Sequence, residues 1–512
     1  MEGQQTSNRL IAKNTVMLYI RMIVVMLVTL YTSRLVLAVL GVVDYGIYSV
    51  VGGLVGRFTI LSGSLSVSTS RYLTYELGRG DFAQLKKTFA TVSAIHIILA
   101  IAMFIICEIL AVWFLNTQLN IPPDRMKAAE WALHCSIGCF SLSLLTVPYN
   151  ASVISHEKMT TFAYLSILDV VIKLLIVFLL YISPIDKLIF YAILGFITAL
   201  IYQAIFFIYC WVKFPESKTL PSIDRRIVKE ISMFVGWTFL GNAAVVLKDE
   251  GVVMLLNIFF GPVVNAAQGI AMQVNSVVTR FISGFMTAVQ PQITKSYAQD
   301  EDSRLNDLLV KSTKFSFFLT VILIFPIISN TRTLLDVWLV EVPDHAVSFS
   351  NLILVYTFID CFTTPLYTAV LATSKIKVYE IVLTILYFLN VVCSYLALKM
   401  GMAPESVFAL AILFKFLVLV LLLHQSKRLI DFDIRRYFKM FMIRVIPILV
   451  FCGLVSLGYL MFVGNDSFMK FIGFALVFEV VTLPFIRKAG LTVAERQFVK
   501  NIIMERLHFK KS

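Results

Sequence analysis

Ionised side chains stand inside stretches of this sequence that are otherwise apolar enough for lipid, and they bound the chemistry open to it. Arg21, Arg57 and Arg280 are the cations of interest, and Asp44, Asp249, Glu250 and Asp360 the acids. Asn242, Asn265, Ser276, Ser283 and Thr287 add neutral hydrogen-bonding groups. An isolated charge at the bilayer centre costs at least about 2.5–3.5 kcal/mol, so such residues persist where they pair or line a hydrated cavity. Guanidinium groups suit phosphate by charge and by forked geometry, which makes Arg21 and Arg280, with the five neutral residues, candidates for holding an anion. The four acids are candidates for a coupling proton or Na+. A salt bridge is the competing reading for each charge.

The motifs of covalent and cofactor chemistry are missing from the sequence. It has no GxxxxGK[ST] phosphate loop, no GxGxxG after a strand, no HExxH and no CxxC pair. These absences argue against an enzyme, a bound cofactor, a metal site, and ATP-driven transport by this chain alone. Secondary transport by alternating access remains, powered by an ion gradient or by substrate consumption. Cys107, Cys135, Cys139, Cys210, Cys361, Cys393 and Cys452 all fall in apolar runs and read as small buried residues. A membrane-embedded glycan polymerase would need a large external loop. The longest external connections expected here, near 116–130 and 331–347, are short.

The elements that carry these residues follow from composition. Of 512 residues 59% are hydrophobic and 15% charged, and the mean hydropathy is +0.86. A helix needs roughly 20 apolar residues to cross a bilayer. About fourteen such stretches are found, near 15–38, 44–68, 89–113, 131–151, 161–182, 188–211, 231–260, 263–289, 313–331, 347–372, 379–399, 405–424, 440–462 and 467–486. The expected fold is all-α and polytopic. The first stretch has no small-residue cleavage site and reads as its own targeting signal. With a cytoplasmic N-terminus, about 30 of the 44 Lys and Arg fall on the cytoplasmic side. Both termini are then cytoplasmic, and the net charge of +13 reflects topology and contact with anionic lipid, with no nucleic-acid partner. The basic tail from Leu491 to Ser512 has the spacing of an interfacial helix.

The chain repeats itself at an offset of about 220 residues. "ILSGSLSVSTS" (60–70) aligns with "FISGFMTAVQP" (281–291), "ILAVWFLN" (109–116) with "LLDVWLVE" (334–341), and "PYNASVISHEK" (148–158) with "PLYTAVLATSK" (365–375). Matches in the same order mean a duplicated unit of six helices. Six is even, so the halves are parallel repeats. The expected organisation is an N-terminal lobe (1–213), a linker (213–230) leading a C-terminal lobe (214–430), and two further helices with a basic tail (431–512), the lobes enclosing a central cleft. Trp113 and Trp338 fall at external helix ends, in the aromatic belt. Pro148 and Pro365 fall at cytoplasmic ends.

Helical periodicity gives the facing of the polar residues. In the eighth stretch Asn265, Gln268, Ser276, Thr279, Arg280, Ser283, Thr287 and Gln290 share an arc of about 120°. Asp44, Tyr48, Thr59, Ser62, Ser66 and Thr69 do so in the second. Thr238, Asn242, Asp249, Glu250 and Asn257 share an arc of the seventh, while Lys248 points away. Arg34 near an external end is expected to snorkel, and Asp169 and Lys173 to neutralise each other at i, i+4. Lys248 and Arg57 lie off the stripes and are expected to pair with neighbouring helices. His96 reads as a packed residue, and Gly52 with Gly56 as a close helix contact.

The opening "NTVMLYIRMIVVMLVTLYTSRLVLAVLGVVDYGIYSVVGGLVGRF" (14–58) with "SRYLTYELGRGD" (70–81) resembles that of bacterial polysaccharide-biosynthesis flippases. These belong to the multidrug/oligosaccharidyl-lipid/polysaccharide (MOP) exporter superfamily, with the O-antigen (Wzx-type) flippases the nearest subgroup. The resemblance covers essentially the whole chain. It implies an undecaprenyl-pyrophosphate-linked oligosaccharide turned from the cytoplasmic to the periplasmic leaflet of the bacterial inner membrane, with Arg21, Arg57 and Arg280 at the charged head. The partners it implies are membrane lipids and the glycan polymerase and glycosyltransferases of the same pathway. Asp249 and Glu250 leave the expected cleft mixed in sign, so a cation or drug antiporter of the same superfamily stays open.

Overall fold

The computed structural model describes residues 2–56, 58–118, 121–183, 185–339, 341–464 and 467–497, and among them the chain is helical with no strand. The helices are α1 (Glu2–Gly56), α2 (Thr59–Arg79), α3 (Phe82–Gln118), α4 (Met126–Ser155), α5 (Met159–Leu180), α6 (Lys187–Lys213), α7 (Arg225–Phe260) and α8 (Pro262–Ala298). They continue as α9 (Asp302–Ser329), α10 (Thr331–Trp338), α11 (Ala346–Ala372), α12 (Lys377–Lys399), α13 (Glu405–Ile430), α14 (Ile434–Met440), α15 (Ile446–Phe462) and α16 (Phe468–Phe485). Arg57 and the tail beyond residue 497 lie outside the described residues.

Eleven helices among the described residues are long and apolar enough to cross a membrane. The remaining long segments, the part of α1 after Gly41 together with α2, and α7 and α8, carry the polar stripes, which lower their hydropathy. Length alone lets α7 and α8, at 36 and 37 residues, span a bilayer. Hydropathy also misjudged the helix ends: α7, α8 and α9 start or finish several residues beyond the apolar runs. The backbone ladder continues through charged residues; the hydropathy signal stops at them.

The duplication is visible in the backbone. Gly41 kinks α1 at φ 80°, and Gly261 holds φ 80° between α7 and α8. Gly80 (φ 72°) pairs in the same way with Asp300 (φ 53°), and Glu157 (φ 59°) with Ser374 (φ 59°). Left-handed backbone favours Gly and, less so, Asp, so three such pairs at offsets of 220, 220 and 217 residues mark a repeated chain path. Pro148 and Pro365 are matched too. Each lies inside its helix, α4 or α11, about two turns before the end.

The chain divides into two compact units, Met1–Ala243 with Thr287–Glu301, and Ala244–Met286 with Asp302–Ser512. In the first, α4 is central: Ala129, Ala132, Leu133, Ile137 and Leu144 are fully buried against α1, α3 and α6. In the second, α11 takes that place against α9 and α13, with the Phe349 and Phe408 rings 4.5 Å apart and tilted by 37°. The two helices outside the duplication, α15 and α16, pack on α9, where Tyr459 donates to Asn330 Oδ1 at 2.8 Å and Phe325 stacks on Phe478.

Candidate functional site

In the second unit the charges of α7 separate into two kinds. Glu250 is exposed and forms no ion pair among the described residues. On α8, Arg280 is likewise exposed without an ion-pair partner among them. Asn257 on α7 and Gln273 and Ser283 on α8 are exposed too, Ser276 is half-buried, and so is Thr287, where α8 passes into the first unit. Asn265 buries Oδ1 without a hydrogen-bond partner. A lipid-facing position would leave these groups unsolvated, so this face of α7 and α8 requires water.

Lys248 and Asp249 belong to the second kind. Lys248 points away from the polar arc, as periodicity gave, and is 7% exposed. Its ammonium reaches back to Asp249 Oδ1 at 2.8 Å, donates to the Tyr356 hydroxyl at 3.4 Å, and lies over the rings of Tyr356 and Tyr387 at 4.8 and 5.4 Å. Asp360 is paired as well: Lys415 Nζ from α13 stands 2.5 Å from its Oδ1 and 5.0 Å from the Tyr356 ring. Two ammonium groups and two carboxylates thus surround Tyr356, tying α7, α11, α12 and α13 together. Lys415, Tyr356 and Tyr387 were not found from the sequence, although a lone Lys within "AILFKFLVLVLLL" is a visible signal.

In the first unit Arg21 is half-buried, with its guanidinium 4.4 Å from the Phe162 ring and its Nε unpartnered. Asn242 donates to Ser64 Oγ at 2.8 Å. Asp44 receives a forked bond from Arg125, Nε at 2.8 Å and the second nitrogen at 2.5 Å, while Arg125 also reaches Asp186 at 2.6 Å. Asp186 caps α6. Burial pushes its carboxyl up, but Arg125 and two backbone N–H groups outweigh this and hold it below the ordinary range. Asp169 pairs with Lys173 at 2.7 Å. His96 is packed, its Nδ1 on the Val92 carbonyl at 2.8 Å.

A further first-unit cluster escaped the sequence reading. Glu157, at its left-handed turn, accepts from Lys295 and from Gln292 (2.5 Å) of the last turns of α8, and its carbonyl accepts from Asn14 at 3.2 Å. Among the described residues no group of His, Cys, Asp and Glu has a metal-holding arrangement.

Comparison with known proteins adds the fold. Residues 238–396 match the MatE family model. No curated protein matches the sequence. Solved structures similar to the chain include an outward-facing multidrug resistance MATE family transporter of the MOP superfamily, at 12% identity and TM-score 0.70, covering 83% of this chain and 96% of the other. A MOP superfamily transporter from Pyrococcus furiosus, described as having a binding pocket of reverse polarity, matches at 12% identity and TM-score 0.69 over the same shares. MATE in a bent conformation matches at 13% and 0.70, covering 83% and 95%. The chain therefore has the fold of the MATE transporters of the MOP superfamily, and its residues 238–396 carry the MatE family pattern.

Proposed function

We propose that the chain is a flippase that carries an undecaprenyl-pyrophosphate-linked oligosaccharide from the cytoplasmic to the periplasmic leaflet of a bacterial inner membrane by alternating access. The observation that carries this reading is the contrast in the second unit: Arg280 is exposed without an ion pair among the described residues, while Asp249 and Asp360 each hold a lysine. An anionic pyrophosphate head needs an open guanidinium that no carboxylate already neutralises. Arg21, with its unpartnered Nε, is its counterpart in the first unit. Asn242, Asn265, Ser276, Ser283 and Thr287 serve the sugar hydroxyls, and Arg57 completes the cationic set. Coupling to a proton or Na+ falls to Asp249, Glu250, Asp44 or Asp360, of which Glu250 forms no ion pair among the described residues.

The second reading, a cation or multidrug antiporter, draws on the fold, since one structural neighbour is a multidrug resistance transporter and another is described with a pocket of reverse polarity. It requires open acids, and Glu250 is one. A glycan polymerase is disfavoured by the short connections between helices.

The test is made in cells that build a surface glycan. Arg280→Ala should leave lipid-linked oligosaccharide on the cytoplasmic leaflet, several-fold above wild type, and Arg34→Ala should do so less. Normal surface glycan in the Arg280→Ala strain removes the assignment. Dye uptake into vesicles that Glu250→Gln abolishes, with glycan still crossing, favours the antiporter.

A further inference from the structure

The two halves of the chain fasten the same pair of helix starts with different chemistry. Arg125 is the residue before α4 and holds Asp186, the N-cap of α6, at 2.6 Å. His345 is the residue before α11, and its Nδ1 stands 2.6 Å from Oε1 of Glu405, the first residue of α13. His345 follows Arg125 by 220 residues and Glu405 follows Asp186 by 219, so the two contacts are repeats of one another. The third member differs as well. Asp44 gives Arg125 a second carboxylate at 2.5 Å, whereas Val264 and Asn265 stand 220 and 221 residues after it. In the second half the Ser348 hydroxyl donates to Glu405 at 2.8 Å instead. The first contact is a guanidinium between two carboxylates; the second is an imidazole on one.

We infer that the His345–Glu405 contact is a proton-operated clamp on the starts of α11 and α13, tight when the imidazole is charged and slack when it is neutral, while the Arg125 clamp of the first unit holds throughout. Guanidinium keeps its charge, but imidazole changes charge between about pH 5 and 8. The neutral ring still donates to Glu405, and only as the Nδ1–H tautomer, so deprotonation removes the attraction between opposite charges and leaves a weaker bond. The two side chains are 37% and 30% exposed, which lets water deliver the proton and also screens the pair. Charges on the elements packed around this helix start are answered elsewhere. Arg332 and Asp336 of α10 pair at 3.1 Å, Lys399 of α12 lies over the Tyr395 ring, and residues 256–267, where α7 meets α8, include no ionisable side chain. Glu341 and Asp344, on the segment of His345 itself, are exposed acids that act in the same sense as Glu405. On the topology of the flippase reading this end faces outside, so external acid stiffens the second unit alone; the side rests on that reading, and the clamp does not.

The experiment is hydrogen exchange read by mass spectrometry on the purified full-length protein at pH 6 and pH 8, corrected for the faster chemical exchange in base. The amides of Phe349–Ile353 in α11 and Phe408–Ile412 in α13 should be roughly two- to fivefold less protected at pH 8. Those of Ala129–Leu133 in α4 and Phe190–Leu194 in α6 should be protected alike at both. His345→Arg, which copies the first half, should remove the pH effect. His345→Asn, whose side chain tolerates the left-handed backbone, should show the low protection at both pH values, and it serves if the arginine variant does not fold. Equal protection of the wild-type α11 and α13 amides at pH 6 and pH 8 overturns the proposal. So does a pH effect that survives in either His345 variant, or one that appears equally in α4 and α6. No arm reads glycan or dye transport, so failure here leaves the flippase reading standing, and failure of that reading leaves the clamp.

Discussion

Gly41 and Gly261 occupy equivalent places in the two halves of the chain and share the same positive φ, 80° at each. Gly41 also has ψ 171°, a region that essentially only glycine enters. No atom stands within 4 Å of a methyl placed on either residue, so the cost of a side chain is conformational. Gly41→Ala should destabilise the protein by about 1–3 kcal/mol. Gly46→Ala should not, since that methyl also meets nothing within 4 Å and the backbone there is helical. Melting temperatures of the two variants in detergent check the contrast; equal losses would remove the strain argument.

Water on the α7 face is tested by labelling. Asn257 and Ile258 are both exposed on the isolated chain, Ile258 at 66%, yet they point about 100° apart. In a cysteine-free background, Asn257→Cys should react with a charged maleimide and Ile258→Cys should resist it. Equal reactivity would place both side chains in the same medium.

The linker between α6 and α7 should respond to acid. Glu216 is 2% exposed and accepts from Ser152 at 2.7 Å and from His156 Nε2 at 2.8 Å, with His156 stacked on Phe214. Burial raises its carboxyl pKa, but the bonds from His156 and Ser152 outweigh it, and the net shift is downward. A lowered carboxylate contributes stability that is fully present above the unfolded pKa, about 4.3, and is lost as pH falls through the folded value. Melting measured from about pH 7 downwards should therefore fall less steeply in Glu216→Gln than in wild type.

Glu495 holds the segment after α16 to α9. Both of its carboxylate oxygens stand 2.6 Å from Lys314 Nζ, a residue 3% exposed. Burial raises the Glu495 pKa, but Lys314 more than offsets this and the net shift is downward. Removing one member leaves the other buried alone, at about 3–5 kcal/mol. Glu495→Gln should thus unfold several degrees earlier, and Lys314→Met/Glu495→Gln should regain most of the loss. A double variant no better than the single one would show that the pair is not the source.

The sequence by itself determined the class, the duplication and the polar faces. Hydropathy and periodicity are properties of one segment at a time, and a bilayer enforces them strictly, so the stripe through Arg280 and Ser283 could be read before any helix was placed. Matching segments such as those around Trp113 and Trp338 gave the repeat for the same reason. Tertiary structure alone decided which charges are answered. Periodicity fixes the direction of a side chain about its own helix axis and says nothing of what stands opposite. Lys415 meets Asp360, Arg125 joins Asp44 to Asp186, and Lys295 closes on Glu157, in each case across long separations in the chain. A lysine stem is also long enough to turn back on its own helix, which is how Lys248, pointing away from the polar arc, still reaches Asp249.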